Sequence, residues 1–155
     1  MEIQLLVIII IMIACSAFFS ASETALTGAN RIRLKSMAEN GSKGAKMALK
    51  LLDKYDKVIT TILIGNNIVN ITASSLGTIL ATAVVGADNA ALVSTVVLTL
   101  VILTFGEVMP KSLAKDHSEG MTVATSGIIT FLTFIFTPLS ALFILLKKLA
   151  NKLFG

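Results

Sequence analysis

Apolar residues in this chain come in long unbroken runs, without alternation and without narrow helical stripes. Three such runs, Ile3–Leu26, Val58–Val85 and Ala90–Met109, hold few charges. At 1.5 Å of rise per residue, about 20 residues cross the ~30 Å hydrocarbon core of a bilayer. The pattern therefore predicts an all-α membrane protein with three transmembrane helices, at about 3–27, 58–85 and 90–109. A fourth run, Met121–Leu146, is also long enough but carries Pro138, whose ring and missing N–H kink or end a helix.

Charge orients these segments. The stretch Asn30–Lys57 holds Arg31, Arg33, Lys35, Lys43, Lys46, Lys50, Lys54 and Lys57 against Glu39, Asp53 and Asp56. Basic loops stay in the cytoplasm, which puts the N-terminus outside. The short connection Gly86–Ala90 carries only Asp88 and suits the outer side. The third span then returns inward to Lys111 and Lys115. A fourth span would carry Lys147, Lys148 and Lys152 outside. A bent element on the inner leaflet keeps them, and the C-terminus, cytoplasmic. Juxtamembrane belt helices are thus expected at about 30–54 and 112–153. In the first, Asn30 is placed to cap a helix. Ile32, Met37, Ala38, Met47, Leu51 and Leu52 form an apolar face, and Gly41 and Gly44 interrupt it.

Composition agrees: 55% of residues are hydrophobic and the mean hydropathy is +0.88, beyond the usual range of soluble domains. The basic balance is accounted for by the membrane surface, and no nucleic-acid motif accompanies it. The first run has no basic segment before it, only Glu2, and is longer than a signal-peptide core, so it reads as a span. Cys15 is the single cysteine and reads as a small packing residue. There is no paired nucleophile and base, no metal-hydrolase motif, and one histidine, His117, among charged neighbours. An enzyme is not expected.

The informative residues are the polar ones inside the apolar runs, where an acidic side chain costs at least a few kcal/mol and usually faces protein or a water-filled site. The first helix carries Ser16, Ser20, Glu23 and Thr27 on one face and Ser22 on another. The second contains Gly65, Asn66, Asn67 and Asn70. Asn70 shares a face with both other asparagines, so helical geometry does not choose between Asn66 and Asn67. The third ends in Gly106-Glu107-Val108-Met109-Pro110-Lys111. Pro110 there deprives the Gly106 carbonyl of its helical donor, beside Glu107. Such irregular backbone is tolerated in membranes where it lines a cavity. Hydroxyls, carboxamides, a carbonyl and carboxylates are all oxygen ligands, which suit Mg²⁺, Ca²⁺, Mn²⁺ or Na⁺ over zinc or copper. Against that, Ser16, Thr27 and Thr60 read as hydroxyls bonded across helix interfaces or to the backbone. Ala73, Gly77 and Ala81 read as a small-residue ladder for close packing, within one subunit or between two.

At these residues the chain resembles the transmembrane domain of the CorC/cyclin M family of magnesium transporters. The resemblance lies in Phe18–Leu26 (FFSASETAL), Ile64–Asn70 (IGNNIVN) and Gly106–Lys111 (GEVMPK), in that order. It implies a homodimer in the lipid bilayer of the plasma membrane, exporting Mg²⁺ in exchange for Na⁺ entry. It implies an ion site drawn from Ser20, Ser22, Gly65, Asn66, Asn67, Asn70, Gly106 and Glu107. Family members usually continue into cytoplasmic CBS regulatory domains. This chain stops at Gly155 and reads as the membrane part of such a protein, so nucleotide regulation does not carry over. A passive cation channel and a non-transporting Mg²⁺ sensor or scaffold are the rival expectations.

Overall fold

The apolar runs, and the charged stretches between them, all fold as helix. The computed structural model describes residues 2–154, with side chains through Lys152. Its elements are α1 (Glu2–Gly28), α2 (Arg31–Glu39), α3 (Lys43–Asp53), α4 (Tyr55–Val85), α5 (Ala87–Val101), a π-helical segment (Ile102–Val108), α6 (Met109–Asp116), α7 (Ser118–Ile135) and α8 (Thr137–Phe154). No strand occurs among the described residues. Four helical stretches are long and apolar enough to cross a membrane: Glu2–Gly28, Tyr55–Val85, Ala87–Asp116 and Ser118–Ile135. Their surfaces expose large apolar side chains such as Val84, Leu92, Leu100 and Phe131, which lipid solvates and water would not.

Contacts divide the chain into two units. The first holds α1 as far as Ala21 together with Gly65–Asp116. Its apolar core is Ile9, Ala73, Leu98 and Ile102, flanked by Met12, Ile13, Leu76 and Leu80. Two residues of the small-residue ladder, Ala73 and Gly77, serve this internal packing. Ala73 lies in the core, and a β-carbon at Gly77 would overlap the Leu98 side chain. A single residue, Gly86, turns α4 into α5 at a φ of 83°, a left-handed conformation that glycine adopts without steric cost. About two helical turns from Gly86 along each helix, Thr78 and Ser94 share a 3.0 Å hydrogen bond.

The second unit holds Ser22–Ile64 and the chain from His117 onward. Asn30 caps α2, its Oδ1 accepting from Ile32 N at 2.9 Å and Arg33 N at 3.3 Å. Gly41, at a φ of 96°, separates α2 from α3, and Ser42 caps α3 through Ala45 N at 3.2 Å. Gly44 does not interrupt the helix as its sequence position suggests. It lies in the first turn of α3, where its lack of a side chain lets α3 approach Val123 of α7. Leu34, Ala38, Ala45 and Ala48 form the core here. Leu34 takes the buried place the spacing assigns to Ile32, which is 80% exposed. The run with Pro138 bends earlier than the proline. Phe136 ends α7, and Pro138 sits in the first turn of α8, where a missing N–H costs no helical bond. The buried pair Thr61–Ser140, 3.0 Å apart, ties α8 to the start of α4.

Candidate functional site

Most hydroxyls in these helices are satisfied by their own backbone. Thr60, Thr72, Thr78, Thr82, Thr122 and Thr133 each donate to the carbonyl four residues earlier. This is the usual resolution for threonine in an apolar helix. Thr27 meets the Tyr55 hydroxyl at 3.0 Å. Against that background, three buried oxygens have no hydrogen-bond partner among the described residues: Ser20 Oγ, Ser22 Oγ and Asn70 Oδ1. An oxygen buried without a partner costs about 1–3 kcal/mol, so its persistence calls for a ligand or a function.

Within the first unit, three helical segments converge on Ser16. Its Oγ donates to Asn66 Oδ1 at 3.0 Å, across α1 and α4. A β-carbon on Gly106 would stand 3.0 Å from the same Oγ, so the π-helical backbone passes close by. Ser16 is fully buried. Sequence reading treats Ser16 as a packing hydroxyl, and the structure makes it the junction of α1, α4 and the π-helix. The signal was present in the four-residue step from Ser16 to Ser20, but spacing alone cannot tell a junction from an ordinary interhelical bond. Next to it, Gly65 leaves room for the far end of the Phe19 ring against α4, since a β-carbon there would overlap the ring.

Helix direction places the remaining donors. Phe19 meets Gly65, Ser16 meets Asn66, and Ile9 shares a core with Ala73, so α1 and α4 run antiparallel. Ser20 and Asn70 therefore lie on opposite sides of the Ser16–Asn66 contact, each about 6 Å along its own helix. Asn66 is directed at α1, whereas Asn67 is exposed. Glu107 is half-buried on the segment that carries Gly106. Ser22, though unpartnered, belongs to the second unit.

The π-helix is not legible in the sequence. Pro110 removes one donor, which in an α-register would free the Gly106 carbonyl. The chain instead adopts five-residue steps, with Met109 N–H bonded to the Thr104 carbonyl, and reverts to α where the proline's missing donor falls. Such π-bulges widen a helix locally and concentrate at functional sites. Among the described residues no three His, Cys, Asp or Glu side chains come together. Any ion held here would meet mainly neutral oxygens, with Glu107 the nearest carboxylate in sequence.

The family model for the cyclin M transmembrane N-terminal domain matches residues 7–155. A UPF0053 protein of Haemophilus influenzae is 42% identical over 151 residues, covering 97% of this chain and 36% of that protein. The UPF0053 inner membrane protein YfjD of Escherichia coli is 41% identical over 140 residues, 90% of this chain and 32% of that protein. A second Haemophilus influenzae relative, named polyamine export protein, is 26% identical over 158 residues, 94% of this chain and 37% of that protein. The chain thus spans about a third of the length of the curated relatives it matches. With its long apolar helices and an inner-membrane relative, it is a multi-pass membrane protein. By sequence match across nearly its whole length, the chain belongs to the cyclin M transmembrane-domain family.

Proposed function

We propose that the first unit binds Mg²⁺ as a transported ion and exports it in exchange for Na⁺. The observation that carries this reading is the unpartnered, buried oxygen of Asn70, one turn from Asn66 in a membrane helix. Mg²⁺ usually keeps several waters and takes only a few protein oxygens. Ser16 and Asn66 offer oxygens at one level, where the Gly106 backbone passes close by. Asn70 and Ser20, a turn to either side, are reached through retained water. Glu107 supplies compensating charge. The basic α2–α3 stretch faces the cytoplasm in this reading, with α1, α4 and the Ala87–Asp116 helix as the three spans. The close packing of α7 along the basic, amphipathic α3 supports keeping α7 on the cytoplasmic surface as well.

Energetics ask for a coupling ion. Carrying two charges outward against 100 mV costs about 4.6 kcal/mol, at ~2.3 per charge. Mg²⁺ efflux from proteoliposomes is expected to rise at least several-fold when an inward Na⁺ gradient is imposed. Flux indifferent to the gradient would indicate a passive channel, and ion binding without flux a sensor. Ser16→Ala should lower flux several-fold while costing stability only about 0.6 kcal/mol, the typical worth of an interhelical bond in a membrane. Unchanged flux in that variant would remove Ser16 from the site.

The relative named polyamine export protein raises an organic-cation alternative. A polyamine presents several ammonium groups along its length and favours an array of carboxylates, whereas the Ser16–Asn66 junction is built of neutral oxygens. Spermidine that competes fully with Mg²⁺ in the same vesicles would reverse this preference.

A further inference from the structure

In the second unit, a cavity of about 550 Å³ opens between α3, the start of α4 and the far end of α7. Its size is that of a small-molecule site. Its two sides differ in chemistry. One carries Lys50, Lys54 and Lys57, none of them ion-paired among the described residues. The acid on that rim, Asp53, is already held by Arg31 at 2.7 Å. The mouth is therefore cationic. The other side is formed by Thr130, Thr133 and Phe134 at the end of α7 and Thr137 at the start of α8. The three threonine hydroxyls donate to the carbonyls of Ser126, Ile129 and Thr133 at 2.6, 2.7 and 2.8 Å, so none has a proton left for a ligand. What the wall presents is methyl groups and the Phe134 ring, which is 80% exposed.

A cationic mouth over an apolar wall is the complement of an amphiphile with an anionic head. The lysines also stand where such a head would lie, since α4 turns apolar directly after Lys57 and runs on as a membrane-length helix. Basic pockets at the ends of membrane helices bind acidic lipid headgroups. We propose that this cavity binds an anionic phospholipid. Its phosphate lies among Lys50, Lys54 and Lys57, and an acyl chain lies along Thr130, Phe134 and Thr137. The inference does not depend on which ion the first unit carries.

Native mass spectrometry of the purified protein tests it, with phosphatidylglycerol or phosphatidylcholine of matched acyl chains added. A phosphatidylglycerol adduct is expected that falls at least five-fold in Lys50→Gln/Lys54→Gln/Lys57→Gln. It should persist in the charge-matched control Lys35→Gln/Lys43→Gln/Lys46→Gln, whose exposed lysines lie off the cavity. Phe134→Ala should weaken it as well. Equal loss in both triple variants would reduce the effect to general charge attraction and overturn the site. So would equal binding of phosphatidylcholine, or full displacement by inorganic phosphate, which would leave an apolar groove or a bare anion site. An adduct that fails to form at all, with the protein folded, would likewise overturn it.

Discussion

Asn70→Leu is expected to reduce Mg²⁺ flux at least ten-fold and to leave the protein as stable as wild type, to within about 1 kcal/mol. Leucine keeps the branching of the side chain at the γ-carbon, is somewhat larger, and removes the carboxamide; Asn70 is only partly buried, which leaves room for the difference. In wild type the Asn70 Oδ1 is buried without a partner, so deleting it relieves a desolvation cost and breaks no bond. An asparagine serving helix packing would behave in the opposite way, losing stability with a modest change in transport. Side-by-side thermal unfolding in detergent and flux in proteoliposomes separate the two. A stable variant with wild-type flux would sink the site assignment, and an unstable one would return Asn70 to a packing role. The asymmetry is the usual mark of a functional group, retained at a cost to the fold.

Gly65→Ala should have the next largest effect, by a different route. The added β-carbon would overlap the Phe19 ring, which already packs edge-on to Phe18 at 5.6 Å between centroids. Overpacking of this kind costs about 1–3 kcal/mol. Because Phe19 lies three residues from Ser16, pushing α1 off α4 also stretches the 3.0 Å Ser16–Asn66 bond. Unfolding midpoint and flux should therefore fall together. The double variant Gly65→Ala/Phe19→Leu, which makes room for the methyl, should recover at least half of both. Failure of the double variant to recover either would mean that Gly65 is needed for something other than the fit of this ring.

How much of this was legible beforehand differs from residue to residue. Long apolar runs fix helices because a membrane leaves the backbone no other way to satisfy itself, so α1, α4 and the Ala87–Asp116 helix follow from hydropathy. Asn30 and Gly41 act locally, as cap and turn, and local chemistry is what a sequence states most directly. The role of Gly44 is not legible in the sequence because it lies in a tertiary contact with Val123, some eighty positions away. Asn66 and Asn67 are equivalent on a helical wheel. Only the neighbouring helix distinguishes them, by placing Ser16 opposite the first. The end of α7 at Phe136 was shifted from the proline because a proline fits best inside the next helix's first turn. The five-residue register at Ile102–Val108 depends on how the backbone settles ahead of Pro110, which no pattern of side chains spells out.

That register also determines which changes of length the third membrane helix can absorb. A single π turn is an α-helix into which one extra residue has been fitted without rotating its flanks. Elsewhere in a spanning helix, losing one residue turns everything downstream by about 100°, carrying part of the protein-facing side round toward lipid. Between Ile102 and Phe105 the same loss would close the bulge and leave α5 and α6 facing as they do now. The stretch beside Gly106 is thus the place in this helix where deletion of one residue is structurally cheapest, and where a shortened chain would keep its fold while losing the widened backbone.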